Sequence, residues 1–221
     1  MPETLLYRIA PLTRAHAMTA VAVLCEAFRD YPVMRFVIGT TDDYDRRLAA
    51  LVSFFVAARD LKEDLILAAV SLNDEVDGVA TVTLPGQRAE PPSLYDRRQE
   101  VWEMLGTEAL DRYRAYGDAC APFDIARPHY HLNMIGVRTA VKGQGLSRLL
   151  LDELHERSAR DVDSCGVSLT TESDDNVGLY THFGYEVVGR ATVANGLKTT
   201  VMFRPDGGEG GTGAPPSGVT H

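Results

Sequence analysis

The chain of 221 residues has few cysteines: Cys25, Cys120 and Cys165 are odd in number, far apart and never in a CxxC pair. That excludes both a disulfide framework and a zinc site, so the sequence implies no metal and three ordinary thiols in a reducing compartment. It also lacks an apolar run of the about eighteen residues a membrane span needs, and the opening MPETLLYRIAPLTR lacks the basic-then-apolar layout of a secretory leader. A cytoplasmic protein with no membrane partner is expected. Positive charge is short as well: 22 basic against 31 acidic residues leave a net charge of −9, which opposes nonspecific binding to nucleic acid. No internal repeat is present, and at Gly143 and Gly145 neither the mononucleotide pattern GxxxxGK[ST] nor the dinucleotide pattern GxGxxG is met, since Ser147 and Arg148 follow.

What is present is enough apolar content, 45%, for one sizeable core and a single domain. The most informative stretch is 129–154, HYHLNMIGVRTAVKGQGLSRLLLDEL. Residues 132–137 form an apolar run of core-strand length, Gly143 and Gly145 break it, and Leu146, Leu149, Leu150 and Leu154 then recur at helical spacing. A helix therefore opens directly out of a glycine turn. The first amides of such a helix lack intrahelical partners, its dipole is positive there, and glycine permits close approach, so the junction suits a phosphate. About thirty residues on, SLTTESDDNVGLYTHFGYEVVGR reads as strand, short helix and strand.

In chain order, 5–9 is a short strand and Thr13 is placed to cap a helix that ends at Phe28, ahead of the helix-stopping Pro32. A second helix is expected from Asp42 or Asp43 to Arg59. The apolar runs 65–72 and 79–84 flank a polar turn and read as a hairpin. A breaker-rich link at 85–92 leads to one helical pattern over 94–116, within an insertion spanning 85–128 that either packs as an extra layer or covers a pocket. Residues 186–192 and 198–203 alternate around Asn195-Gly196, a hairpin-turn dipeptide. From residue 205 to 221 the chain is too rich in glycine and proline to join a core and reads as a disordered tail. The domain is thus expected to occupy 1–204.

The segment KGQGLS resembles the pyrophosphate loop Q/R-x-x-G-x-G/A of the GCN5-related N-acetyltransferases, with Lys142 and Ser147 departing from the commonest outer residues. Asn176, Tyr180 and Gly184 resemble the same family's closing motif N-x-x-x-Y-x-x-x-G-F/Y. The segments AFRDYP, HYHLNMIGV and NVGLYTHFGY are similar to those of the puromycin N-acetyltransferase-like branch of small-molecule acetyltransferases. The resemblance implies an α+β layered fold: a mixed, mostly antiparallel sheet of six to seven strands flanked by helices, with a splayed strand pair at the acetyl-CoA site. It implies that Lys142, Gly143, Gln144, Gly145, Leu146 and Ser147 hold the pyrophosphate of acetyl-CoA, while Ile135, Gly136 and Val137 pair with the pantetheine arm. Tyr180 would protonate the departing coenzyme A thiolate, and Asn176 would bind the cofactor arm, orient a water or simply cap its helix. Tyr31 and Phe36 fall where the family builds its acceptor side, although both also suit a core.

Counting back eleven residues from Lys142 reaches His131, where some members of the family carry a catalytic glutamate, and an imidazole titrates in the range of a proton acceptor. Strand alternation would set His129, His131 and Asn133 on one face, opposite Tyr130, Leu132 and Met134. The expected activity is direct transfer of acetyl from acetyl-CoA to a primary amine of a small molecule within a ternary complex, by a monomer or homodimer. An enzyme of antibiotic resistance acting on an aminonucleoside-like amine is one alternative, and a non-catalytic acyl-CoA sensor is another.

Overall fold

In the computed structural model, residues 7–207 are described, apart from 13, 87, 194 and 195. The cap expected at Thr13, the turn residue Asn195 and the tail from 208 onward lie outside the described residues. The chain runs β1 (Tyr7–Pro11), α1 (Ala17–Phe28), α2 (Pro32–Ile38), α3 (Tyr44–Leu61), β2 (Leu65–Ser71), β3 (Val76–Thr83), α4 (Pro92–Leu105) and α5 (Thr107–Cys120). It continues with β4 (Tyr130–Val137), α6 (Leu146–Arg160), β5 (Gly166–Thr171), α7 (Asp174–His182), β6 (Glu186–Thr192) and β7 (Lys198–Pro205).

One sheet of seven strands runs in the order β1-β2-β3-β4-β5-β7-β6, and only the β4–β5 pair is parallel. Both faces are covered. On β2, Ile66, Ala68 and Val70 pack beneath α1 and α3, whereas Leu67 and Ala69 pack beneath α6. Side chains alternate across a strand, so burial on both faces explains why LILAAVS is apolar at nearly every position. The leucines of α6 at 146, 150, 151 and 154 are each at most 2% exposed, so the stripe read from the spacing holds at 146, 150 and 154, while Leu151 takes the buried place expected for the half-buried Leu149.

The insertion forms two helices rather than one. Gly106 adopts φ +81°, a conformation glycine reaches without the steric penalty a Cβ brings, and it both terminates α4 and opens α5. Leu94, Val101, Leu105 and Ala109 are buried, and Arg112 fastens α5 to α2 by donating to the Val37 and Ile38 carbonyls at 3.0 and 3.3 Å. The sheet reaches one residue past the expected boundary at 204, because Pro205 pairs with Gly166. Asp206 follows it into the fold, accepting from Ser158 Oγ at 2.6 Å.

Two local features set the geometry of the site. β4 pairs with β5 over only three residue pairs, ending at Leu132 opposite Leu169, while its pairing with β3 continues to Val137. The register against β3 slips at the same place: Thr81 opposes Met134 and Val82 opposes Leu132, so Asn133 is an extra, bulged residue. A bulge reverses the alternation beyond it. Tyr130 and Leu132 pack on the α6 side, but Met134 packs on the α1 and α3 side, which corrects the expected grouping of Met134 with them. Past the bulge, Gly136 sits directly under α1; a Cβ there would lie 2.6 Å from Ala27 Cβ.

Candidate active site

The parting of β4 from β5 opens a cleft of about 1250 Å³ that passes between α6 and α7 and ends beneath α1, α3 and α5. Its walls include Ile135, Gly136, Val137, Lys142, Gly143, Gly145, Leu146 and Ser147, together with Asn176, Tyr180, Tyr31 and His131. Two expected residues are not among its lining: Gln144, which is exposed on the loop, and Phe36, which packs against the core from α2.

At one end lies the turn 142–147. Gly143 and Gly145 both take left-handed backbone, φ +83° and +80°, and a Cβ on either would meet no protein atom within 4 Å. Their bareness therefore fills no packing need of the protein; it leaves an open cradle over backbone. Gly145 is the N-cap of α6 and supplies no side-chain cap. The first amide bonded back into the helix is that of Leu149, to the Gly145 carbonyl at 3.1 Å, which leaves those of Leu146, Ser147 and Arg148 without intrahelical acceptors. Lys142 and Arg148 border the same space, so an acidic protein presents a locally positive nest there.

Halfway along, α7 presents Tyr180. Its ring is 7% exposed and packs edge-on to Tyr185, with centroids 5.6 Å apart. Among the described residues its hydroxyl makes no hydrogen bond, and it faces the cleft. Burial, with Tyr31 and Glu172 adding to it, holds this phenol well above the ordinary 10, so it keeps its proton across the neutral range. The capping alternative for Asn176 is settled by Ser173, whose Oγ accepts the Asn176 amide N–H at 3.4 Å and is the N-cap of α7. The Asn176 side chain instead reaches the Tyr31 hydroxyl at 3.5 Å. That oxygen also accepts the Glu172 amide N–H at 3.3 Å and lies 2.9 Å from Thr171 Oγ1. Tyr31 thus ties the start of α2 to the end of β5, across the cleft mouth.

At the far end, α5 contributes two aromatics. Tyr113 stacks within 4.9 Å of Trp102 and 6.1 Å of Phe55, and Tyr116 lies 3.0 Å from Thr170 Oγ1. The insertion therefore packs as a layer and also lines the cleft. His131 turns into this region with Nδ1 2.8 Å from Ser168 Oγ. Burial, then His129 and Arg59, pull its pKa down to about 4, so the ring is neutral at physiological pH but a weak base.

Glu172 escaped sequence reading. Its carboxylate accepts from the Tyr116 hydroxyl at 2.8 Å and from the Thr199 hydroxyl at 2.9 Å, both on Oε1. Burial raises its pKa from the ordinary carboxylate value, offset in part by hydrogen bonds from the neighbouring hydroxyls. A signal existed: Glu172 directly follows the apolar-and-hydroxyl strand run, where SLTTES offers a lone acid among hydroxyls.

Among known proteins, residues 113–204 match the family model described as an acetyltransferase (GNAT) domain. A solved structure described as histone acetyltransferase HPA2 and related acetyltransferase, from Corynebacterium glutamicum ATCC 13032, superposes with a TM-score of 0.72 at 21% identity over 91% of this chain and 97% of that one. Arylalkylamine N-acetyltransferase 2 from Aedes aegypti gives 0.59 at 13% identity over 91% and 99%. The NatB acetyltransferase complex bound to CoA and MES gives 0.50 at 16% over 90% and 98%. At these identities the structural likeness speaks for fold alone. Residues 113–204 thus match the acetyltransferase (GNAT) domain model, and the chain around them shares the fold of solved acetyltransferases.

Proposed function

We propose that this protein is an acetyltransferase that uses acetyl-CoA as the donor substrate and acetylates a primary amine on a small molecule, both being held in the cleft at once. One observation carries the reading: the bare amide cradle at 142–147 and the unbonded phenol of Tyr180 open onto one cleft, created where β4 and β5 part. The cradle fits a pyrophosphate, since its glycines leave room, its amides lack intrahelical acceptors and Lys142 and Arg148 border it. The free edge of β4 from 133 to 137 offers backbone groups to a pantetheine arm, whose amides pair as another strand would. An amide of that edge near Val137 is the donor aimed at the thioester oxygen, and Asn176 steadies the arm from α7.

Tyr180 then serves as the acid for the leaving sulfur. A phenol that stays protonated yields its proton only to a strong base, and a nascent thiolate is one. The far end of the cleft supports a small acceptor: it is closed by α5 and walled by Phe55, Tyr113 and Tyr116, an apolar surface suited to a compact amine. A sensor that binds acyl-CoA without reacting would have no use for a buried phenol lacking a protein partner. Thiol release from acetyl-CoA across a panel of primary amines tests the reading. The expected result is amine-dependent release with N-acetyl product confirmed by mass; no release with any amine, despite acetyl-CoA binding, would refute it.

A further inference from the structure

Glu172 stands out because its surroundings satisfy half of it. Oε1 holds two hydroxyl donors, whereas no hydrogen bond to Oε2 exists among the described residues, and Glu172 lines both the cleft and a smaller pocket beside it. No lysine or arginine pairs with the carboxylate among the described residues: Arg59, which lines the cleft, is committed to Asp64 and Asn133, and Arg190 in the smaller pocket donates to Thr200. A carboxylate in a largely dry pocket without a counter-ion is costly unless a ligand supplies one. The Tyr116 and Thr199 hydroxyls fix its orientation, and the Glu172 main-chain N–H is held by Tyr31. The group is thus positioned, unneutralised and set between the aromatic end of the cleft and Tyr180.

We propose that Glu172, rather than His131, receives the acceptor as a primary ammonium and takes its proton. The inference rests on the acetyltransferase reading and extends it to the acceptor's charge state. In the step, the ammonium N–H bond breaks and its proton passes to Oε2, leaving a neutral amine and a neutral carboxyl group. The amine lone pair forms a C–N bond at the thioester carbon, and the C–S bond then breaks. The sulfur takes the Tyr180 proton, the nitrogen's surplus proton restores Tyr180, and Glu172 releases its own to solvent. Charges balance with one proton lost overall, and the aromatic walls of Phe55, Tyr113 and Tyr116 hold an apolar body behind the amine.

Glu172→Gln is the discriminating variant, because an amide oxygen still accepts from Tyr116 and Thr199 and the fold is kept. With alkylamine acceptors, which are protonated at neutral pH, kcat/KM should fall by about 10²-fold or more, the scale of a lost general base. With weakly basic amines already neutral at the assay pH, the same variant should lose less than about tenfold, and His131→Gln should lose less than Glu172→Gln with alkylamines. Equal losses for both amine classes, or a larger loss in His131→Gln, would overturn the assignment of the base. A second measurement does not depend on turnover: calorimetric titration of 2-phenylethylammonium chloride into the full chain without acyl donor. Binding to wild type that weakens by about tenfold in Glu172→Gln supports the ammonium seat. Equal binding by both proteins, or none by wild type, would overturn it. Glu172-dependent binding without turnover of any amine would uphold the seat and instead sink the acetyltransferase reading.

Discussion

Replacing Gly136 with alanine should loosen the crossing of α1 over β4, and the structure sets how much. The added Cβ would stand 2.6 Å from Ala27 Cβ and 3.3 Å from Leu24 Cδ2, against the 3.4 Å or more of ordinary contact. Neither neighbour can yield by rotating a flexible end. Ala27 Cβ is fixed to the helix backbone, so the whole of α1 must back away or β4 must bow toward the cleft. Overpacking of this kind costs about 1–3 kcal/mol. For a domain of this size that corresponds to a melting temperature lower by about 2–12 °C. Because Gly136 lies on the strand edge assigned to the pantetheine arm, acetyl-CoA affinity should fall as well. Thermal melting followed by circular dichroism, with calorimetry for acetyl-CoA, measures both. Ala27→Gly removes the offending atom, at up to about 1 kcal/mol of helix propensity. The double variant should therefore be more stable than the sum of the single changes predicts. Strict additivity of the two, or a Gly136→Ala protein melting within a degree of wild type, would show that α1 and β4 do not meet as described.

Other expectations follow from the same geometry. Gly145→Val forces a branched side chain into φ +80° and into the mouth of the cradle, so acetyl-CoA affinity by calorimetry should drop at least about tenfold. A chain ending at Gly207 should melt like the full-length protein. One ending at Arg204 loses the Pro205 pair and the Asp206 carboxylate and should melt about 2–4 °C lower, the scale of about 1 kcal/mol. The pKa of His155, lowered from 6.5 to about 4 by burial and by Arg204, favours the neutral ring in the folded state. Its stabilisation is complete above pH 6.5 and is lost as the pH falls toward 4. Melting temperatures should decline over that window, and less steeply in His155→Gln, which keeps an acceptor for the Tyr185 hydroxyl 2.9 Å away.

The features legible in the sequence were those whose cause is local. The glycine turn of 142–147 announces φ > 0 and a helix start, and the leucine spacing of α6 announces its buried face. The β2–β3 hairpin follows from two apolar runs around a polar turn. What was missed depends on partners distant in the chain. The bulge at Asn133 is a matter of register against β3, some fifty residues earlier, so alternation within β4 alone assigns Met134 to the wrong face. The lowered pKa of His131 likewise depends on burial and on Arg59, which is supplied by α3. Glu172 looks like one acid among the polar residues that open α7. Only Tyr116 from the insertion and Thr199 from β7 reveal that it is held and oriented. Tyr31 and Phe36, close in sequence, both pack against the core, but of the two only Tyr31 also lines the cleft.

The account stands or falls most directly on Tyr180, because the cleft, the cradle and the far pocket converge on its hydroxyl. Tyr180→Phe keeps the ring that packs on Tyr185 and removes only a hydroxyl that makes no hydrogen bond among the described residues, so the melting temperature and acetyl-CoA affinity should match wild type. Single-turnover acetylation of a good amine acceptor, with product identified by mass, should slow by about 10²–10⁴-fold. An unchanged single-turnover rate, under conditions where chemistry limits the wild-type rate, would contradict the account and leave Tyr180 a packing residue of the cleft wall.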